Sequence, residues 1–178
     1  DMGLGKTVQI IAFLEYQRIE KGGKALLILP TSLIGNWEKE IEKFAPELPY
    51  QILHKSIAKN SDGMKINEDK FLYITTYKMV SKIEDLKTRK WNYMILDEAQ
   101  AIKNPGTKQT KEIKSIKAKV RIAMTGTPIE NRLGDLWSLF DFLNPGLLGS
   151  PKEFSDFANG LKDDLKGYAK LRKIISPF

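Results

Sequence analysis

Short apolar runs alternate with longer segments of helical periodicity along most of the chain. Five of the runs have the length of a strand and are bounded by Gly, Pro or polar residues; they lie at 25–29, 50–53, 71–75, 93–96 and 120–124. Within each run the apolar residues are continuous rather than alternating, as is typical of parallel strands that are buried on both faces. The pattern therefore predicts an open sheet of parallel strands.

The segments between these runs predict helices. Apolar residues recur at helical spacing over 7–19, 36–44 and 107–116. The first of these helices is expected to end at Gly22-Gly23, because paired glycines stop a helix. Strand, helix and strand follow each other at a spacing that implies right-handed crossovers, so the helices are expected to cover both faces of the sheet. The predicted fold class is α/β.

Beyond residue 130 the pattern changes to helices only. In residues 134–143, Leu136, Leu139, Phe140 and Leu143 fall on one helical face. Ser150, Pro151 and Glu153 form the signature of a capped helix start, with a hydroxyl cap and a carboxylate that completes a capping box. We expect two parts, an α/β unit over 1–130 and a helical appendage over 131–178.

Composition limits the chemistry and leaves the partner open. The 178 residues are 42% hydrophobic, which fits a globular domain with its own core. Cysteine is absent, which excludes disulfides and thiolate metal sites, and a single His argues against a zinc site. No apolar run approaches the roughly 20 residues that span a bilayer. The net charge of +7 permits a polyanionic partner such as nucleic acid, although solubility accounts for it equally well.

A glycine-rich stretch, GLGKT, opens the first predicted helix. Such a turn lets backbone N–H groups approach a phosphate at the positive end of the helix dipole. In a P-loop, Gly3 and Gly5 would form the turn, Lys6 would reach the β- and γ-phosphates, and the Thr7 hydroxyl would bind Mg²⁺. Taken alone, the motif is also compatible with a flexible glycine turn.

Two acids, Asp97 and Glu98, come directly after the buried run at 93–96. Ligands of a parallel sheet bind beyond the carboxyl ends of its strands. A magnesium–nucleotide site needs one carboxylate near the metal and another group that activates the attacking water, so Asp97 is predicted as the Mg²⁺ partner and Glu98 as the general base. Acid pairs at strand ends are common, but the GKT turn in the same sheet favours a site for Mg²⁺ and ATP.

Six segments together carry a resemblance to a known family: DMGLGKT, LPTSLIGNW, ITTYKMV, DEAQAIKN, TGTPIEN and LWSLFDFLNPGLLGS. In this order they resemble the Swi/Snf family of helicase-like ATPases in helicase superfamily two. The resemblance implies a RecA-like P-loop NTPase lobe with ATP and Mg²⁺ as cofactors. It also implies double-stranded DNA as a partner and protein–DNA complexes as possible substrates. The expected location is intracellular, in the cytoplasm or nucleoid of a prokaryote or the nucleus of a eukaryote.

The resemblance also assigns roles to residues around the expected nucleotide. DMGLGKT matches motif I, and DEAQ matches motif II, in which the family more often has His where this chain has Gln100. An amide can meet the coupling role of that position. TGTP matches motif III, so Thr125, Gly126 and Thr127 would link the nucleotide to the DNA side.

The motifs named Ia and Ib carry the expected DNA contacts. Thr31 and Ser32 in PTSL, and Thr75 and Thr76 in TTY, would bind the phosphate backbone of one strand. The residue types are equally compatible with plain helix capping and with β-propensity. Two further expected contacts follow motif II, Lys103 and Asn104. No base-reading residue is among these positions, so binding should not depend on DNA sequence.

Members of the family need a second RecA-like lobe, which supplies an arginine finger to the ATP site. The sequence starts within motif I, so we expect it to be part of a first lobe that is inactive alone. The alternative is a nucleic-acid-binding or partner-docking module with a vestigial ATP site. The intact Lys6, Thr7, Asp97 and Glu98 argue against such decay.

Overall fold

The computed structural model describes residues 5–54, 65–126, 133–160, 171 and 173. The helices described are α1 (Lys6–Glu20), α2 (Ile34–Phe44), α3 (Glu84–Thr88), α4 (Lys108–Ser115), α5 (Leu133–Leu143) and α6 (Pro151–Gly160). The strands are β1 (Ala25–Leu29), β2 (Tyr50–Leu53), β3 (Leu72–Thr76), β4 (Lys90–Leu96) and β5 (Lys117–Ala123). None of the described helices combines the length and apolar character that a membrane crossing requires.

The strands form a single parallel sheet in the order β2-β3-β1-β4-β5. β1 lies in the middle, where Leu26 is in register with Tyr73 on β3 and with Met94 on β4. All five residues of β1 are buried, as their continuous apolar character predicted. The prediction of an open parallel sheet is therefore confirmed.

Helices cover both faces of this sheet, so that prediction is also confirmed. Leu26 belongs to one buried cluster with Ile113 of α4 and Phe142 of α5. Its neighbour Leu27 belongs to the other cluster, with Leu14 of α1. Successive strand residues point to opposite faces, so the two clusters are the two cores of a three-layer α/β fold.

The turn between α1 and β1 brings the chain back to the amino ends of the strands. Gly22 and Gly23 both have positive φ, 64° and 97°. A Cβ atom on Gly23 would lie 2.3 Å from Cγ of Asn92. The Asn92 side chain in turn accepts a hydrogen bond from the backbone N–H of Lys24 at 3.0 Å. Only glycine fits at position 23, where the turn between α1 and β1 passes close to β4.

The helices after residue 133 are attached to the sheet and to each other. Lys114 of α4 forms a 2.8 Å ion pair with Asp141 of α5. The predicted capping box at the start of α6 is present: Ser150 Oγ accepts from the Glu153 N–H at 3.2 Å, and Glu153 accepts from the Ser150 N–H at 2.7 Å. These hydrogen bonds lower the pKa of Glu153. A separate small cluster of Trp137, Phe154 and Leu171 joins α5 to α6.

Candidate active site

The amino end of α1 lies beside the carboxyl end of β5. Gly5 adopts the left-handed conformation, φ 66°, directly before the helix, and no side chain of the described residues caps the helix there. The Lys6 ammonium donates a hydrogen bond to the backbone carbonyl of Thr125 at 2.9 Å. Residues 119 positions apart in sequence thus meet at the rim of the sheet where the strands end. Thr7, the predicted metal ligand, lies in the first turn of α1 and is half-buried.

Asp97 and Glu98 leave β4 at the same rim. The backbone N–H of Asp97 still donates to the Ile28 carbonyl of β1 at 2.9 Å, so Asp97 lies at the centre of the sheet. At Glu98 the chain turns sharply, with φ 51°, and this is the single non-glycine residue with positive φ in the described part of the chain. Strained conformations of this kind persist where surrounding contacts hold them, and they concentrate at functional sites.

A chain of side-chain hydrogen bonds connects the three predicted motifs. The Gln100 amide donates to a carboxylate oxygen of Glu98. The hydroxyl of Thr125 donates to the amide oxygen of Gln100 at 3.0 Å, and the Thr125 carbonyl accepts from Lys6. A Cβ atom on Gly126 would lie 3.5 Å from the Glu98 carboxylate, so the backbone here passes close to that side chain. The structure therefore gathers Lys6, Glu98, Gln100 and Thr125 into one connected group.

Two further residues touch the acids, and neither belongs to the site residues that the motifs predicted. The indole N–H of Trp37, on α2, donates to a carboxylate oxygen of Asp97 at 2.8 Å. The hydroxyl of Tyr77, just after β3, donates to the backbone carbonyl of Asp97 at 2.7 Å. Burial, together with the charges of Asp97 and Glu98, raises the pKa of Tyr77 well above its usual range, so the phenol remains a donor.

Both residues lie within motifs of the sequence, and their positions there were the signal that could have identified them. Trp37 ends the segment LPTSLIGNW, and Tyr77 follows directly after the two threonines of TTY. Trp37 is a core residue, since its side chain is 0% exposed. This core tryptophan also contacts a carboxylate because β1 and β4 are neighbours in the sheet. Sequence spacing does not show which strands are neighbours.

The predicted DNA-contacting residues divide into exposed and buried groups. Thr31 and Ser32 are exposed in a short 3₁₀ turn, Thr31–Leu33, that follows the carboxyl end of β1. Thr75 and Thr76 are only 0% and 2% exposed, because β3 lies between β2 and β1. The Thr75 hydroxyl donates to the Leu53 carbonyl at 2.9 Å, and the Thr76 hydroxyl has no partner among the described residues. The structure does not place these two hydroxyls where a phosphate could touch them.

Lys103 and Asn104 are exposed after the 3₁₀ turn Ala99–Ile102, on the same side of the sheet as Asp97. The Asn104 side chain accepts from the Gly106 N–H at 3.0 Å, so one of its functions is to shape the loop before α4. Two predicted site residues, Gly3 and Thr127, lie outside the described residues.

The groups at this rim fit a magnesium nucleotide. An ammonium and the open start of a 15-residue helix suit phosphate oxygens. The carboxylates of Asp97 and Glu98 are oxygen ligands of the kind Mg²⁺ prefers. A parallel sheet with a Gly-Lys-Thr helix start and an Asp-Glu pair after a central strand defines the class of RecA-like P-loop ATPases.

The chain belongs to the SNF2-related domain family, which matches residues 1–178. It is 41% identical to an uncharacterised ATP-dependent helicase of Mycoplasma genitalium, and the match covers 100% of this chain and 17% of that protein. It is 38% identical to a putative ATP-dependent helicase/translocase of Bacillus subtilis, again over 100% of the chain and 20% of the relative. The chain thus spans a fifth or less of these curated relatives.

Among solved structures, the chain is similar to the Sulfolobus solfataricus SWI2/SNF2 ATPase core in complex with double-stranded DNA. The two share 46% sequence identity with a TM-score of 0.91, over 100% of this chain and 38% of that one. The same core domain in a second structure is 47% identical with a TM-score of 0.85. The predicted fold and family are therefore confirmed.

Proposed function

We propose that this chain is the ATP-binding first lobe of a Swi/Snf-type ATPase that is stimulated by double-stranded DNA and translocates along it. The observation that carries the proposal is the contact between the Lys6 ammonium and the Thr125 carbonyl. Thr125 also forms a hydrogen bond with Gln100, and Gln100 forms one with Glu98. The contact therefore links the P-loop lysine to the acid Glu98 through two residues. The nucleotide-binding end and the hydrolytic end of the site are thereby adjacent.

Within this site each residue has a separate task. Lys6 and the N–H groups of the first turn of α1 hold the β- and γ-phosphates, together with Gly5 and, from its place in the motif, Gly3. Thr7 and Asp97 hold Mg²⁺. When bound, the metal neutralises charge that develops on the transferring phosphoryl group. The chain's own contribution is to fix these ligands at one rim of a rigid sheet.

Glu98 is the general base that takes a proton from the attacking water. One of its carboxylate oxygens accepts from the Gln100 amide, which fixes the side chain in one orientation. The other oxygen would lie 3.5 Å from a Cβ atom added to Gly126, so the chain at Gly126 passes close to this carboxylate. Since Gln100 also bonds Thr125, a shift of Glu98 during hydrolysis passes directly into the segment of Thr125, Gly126 and Thr127.

The DNA track lies along the loops at the same rim. The exposed Thr31, Ser32, Lys103 and Asn104 are its proposed contacts, made with the phosphate backbone. The relative solved with double-stranded DNA supports this partner, as does the net charge of +7. A second RecA-like lobe, reached through residues 131–178, completes the ATP site with an arginine finger. Protein–DNA complexes are the proposed substrates of the whole protein.

The test is ATP hydrolysis by the full-length protein with duplex DNA, with single-stranded DNA and without DNA. We expect duplex DNA to stimulate hydrolysis most. Lys6→Ala and Glu98→Gln should each lower the stimulated rate by at least about 100-fold, because general base catalysis and phosphate charge stabilisation each contribute that much. Lys90→Ala, at the opposite rim, is the control and should keep the rate.

Two outcomes would contradict the proposal. Near-normal hydrolysis in either site variant would overturn the roles of Lys6 and Glu98. A wild-type protein that binds DNA tightly but hydrolyses no ATP under any condition would instead identify a binding module with a vestigial ATP site.

A further inference from the structure

The side chain of Asp97 is held from two directions before any ligand arrives. One carboxylate oxygen accepts from the Trp37 indole N–H at 2.8 Å. The other accepts from the backbone N–H of Glu98 at 2.9 Å. With one hydrogen bond on each oxygen, the plane of the carboxylate is fixed, and each carboxylate oxygen has a second lone pair that can bind a metal.

Trp37 is well suited to fix a carboxylate. Its side chain is fully buried in the cluster on the α1 and α2 face, beside Ile34 and Ile41 of its own helix. Close packing restricts the ring to one rotamer, so the direction of its N–H is fixed too. The indole N–H is only a donor, and a bond from it to an ionised carboxylate is charge-assisted and correspondingly strong.

We infer that Trp37 is a positioning residue that orients the Asp97 carboxylate and thereby sets the Mg²⁺ affinity of the nucleotide site. This inference rests on the proposed function of Asp97 as a metal ligand. Hydrogen-bond partners of metal ligands typically contribute about 10–100-fold to metal affinity. Trp37 therefore acts on the metal through Asp97 rather than as a ligand of its own.

The chain supplies a matched control. Trp91 is 1% exposed and lies in the cluster on the other face of the sheet. Its indole N–H donates to the backbone carbonyl of Leu86 at 2.9 Å, away from the acids. Trp91→Phe therefore also removes a buried indole and its N–H hydrogen bond, here to a neutral carbonyl, but leaves Asp97 untouched.

The experiment compares Trp37→Phe with Trp91→Phe in the full-length protein by calorimetric titration of ADP, once with Mg²⁺ and once with EDTA. We expect Trp37→Phe to weaken ADP binding about tenfold with Mg²⁺ and to leave binding in EDTA unchanged. Trp91→Phe should change neither affinity. Thermal unfolding should show comparable losses in both variants, since each removes one buried indole.

If Trp37→Phe does not fold, 3-benzothienylalanine at position 37 replaces it, because sulfur takes the place of the N–H in a ring of the same shape. Asp97→Ala separates the inference from the proposed function. If Asp97→Ala leaves the Mg²⁺ dependence of ADP binding intact, the metal role of Asp97 fails and the inference fails with it. If Asp97→Ala removes that dependence but the variants at position 37 do not weaken it, the inference alone is wrong.

Discussion

The conformation of Glu98 depends on one phenol. The left-handed backbone of Glu98, φ 51°, directly follows the carbonyl of Asp97, and this carbonyl accepts a hydrogen bond from the Tyr77 hydroxyl at 2.7 Å. Tyr77→Phe should lower the free energy of unfolding by about 1–2 kcal/mol, because a buried carbonyl loses its partner. It should also lower DNA-stimulated ATP hydrolysis, since Glu98 is then free to leave the strained conformation. Urea unfolding and steady-state ATPase assays measure the two effects.

Tyr73→Phe is the control for this prediction. The Tyr73 hydroxyl also donates to backbone carbonyls, those of Asn67 and Lys70, but it does so away from the acids. Its loss should cost similar stability and leave hydrolysis unchanged. Because the folded-state pKa of Tyr77 is raised, its contribution is fully present below about pH 10 and decreases only above that pH. A Tyr77→Phe effect on stability that disappears between pH 7 and pH 9 would contradict this assignment.

The turn that joins α1 to β1 tolerates no side chain at its second glycine. Gly23→Ala places a Cβ 2.3 Å from Asn92 at a φ of 97°, so we expect a loss of more than about 1 kcal/mol in the free energy of unfolding. Gly35→Ala is the contrasting change, since nothing lies within 4 Å of its Cβ position in α2. It should stabilise the chain by up to about 1 kcal/mol. Chemical unfolding of both variants measures these changes. An unchanged free energy of unfolding in Gly23→Ala would contradict the turn geometry.

Strands were predictable where a run of mostly apolar residues marks them in the sequence. The runs at 25–29 and 50–53 coincide with β1 and β2. The amino-terminal half of β5 was missed, because Lys117 and Lys119 are exposed at the edge of the sheet and give no apolar signal. The five-residue α3 is too short to show helical periodicity.

The site was predictable in its motifs but not in its neighbours. The glycine-rich motif and the acid pair can be recognised in the sequence alone. The order of the strands decides which other residues contact them. The placing of β3 between β1 and β2 buries Thr75 and Thr76, which the sequence reading expected to contact DNA. The same sheet order brings Trp37 and Tyr77 to Asp97. Such contacts between distant segments have no local signal.

The charge of the whole chain predicts how DNA binding responds to salt. Binding should be independent of DNA sequence, and its affinity should fall linearly with salt on a double-logarithmic plot. Lys103→Ala should reduce that slope by about 1, as expected for one lost phosphate contact. Lys90→Ala removes an equally exposed lysine from the other end of β4 and should leave the slope unchanged. Fluorescence anisotropy with two unrelated duplexes measures both; equal slopes for the two variants would remove Lys103 from the DNA track.

Because every strand runs in the same direction, the acids, the Lys6 contact and the exposed Thr31–Ser32 turn all lie at one edge. In the described part of the chain, the opposite rim holds the turns at which the strands begin, such as the one at Gly22-Gly23. The seven residues of β4 separate the two edges by about 20 Å. If the proposed translocation is right, a dye or a surface tether attached at Lys90 would therefore report the movement in single-molecule recordings without standing in the path of nucleotide or duplex.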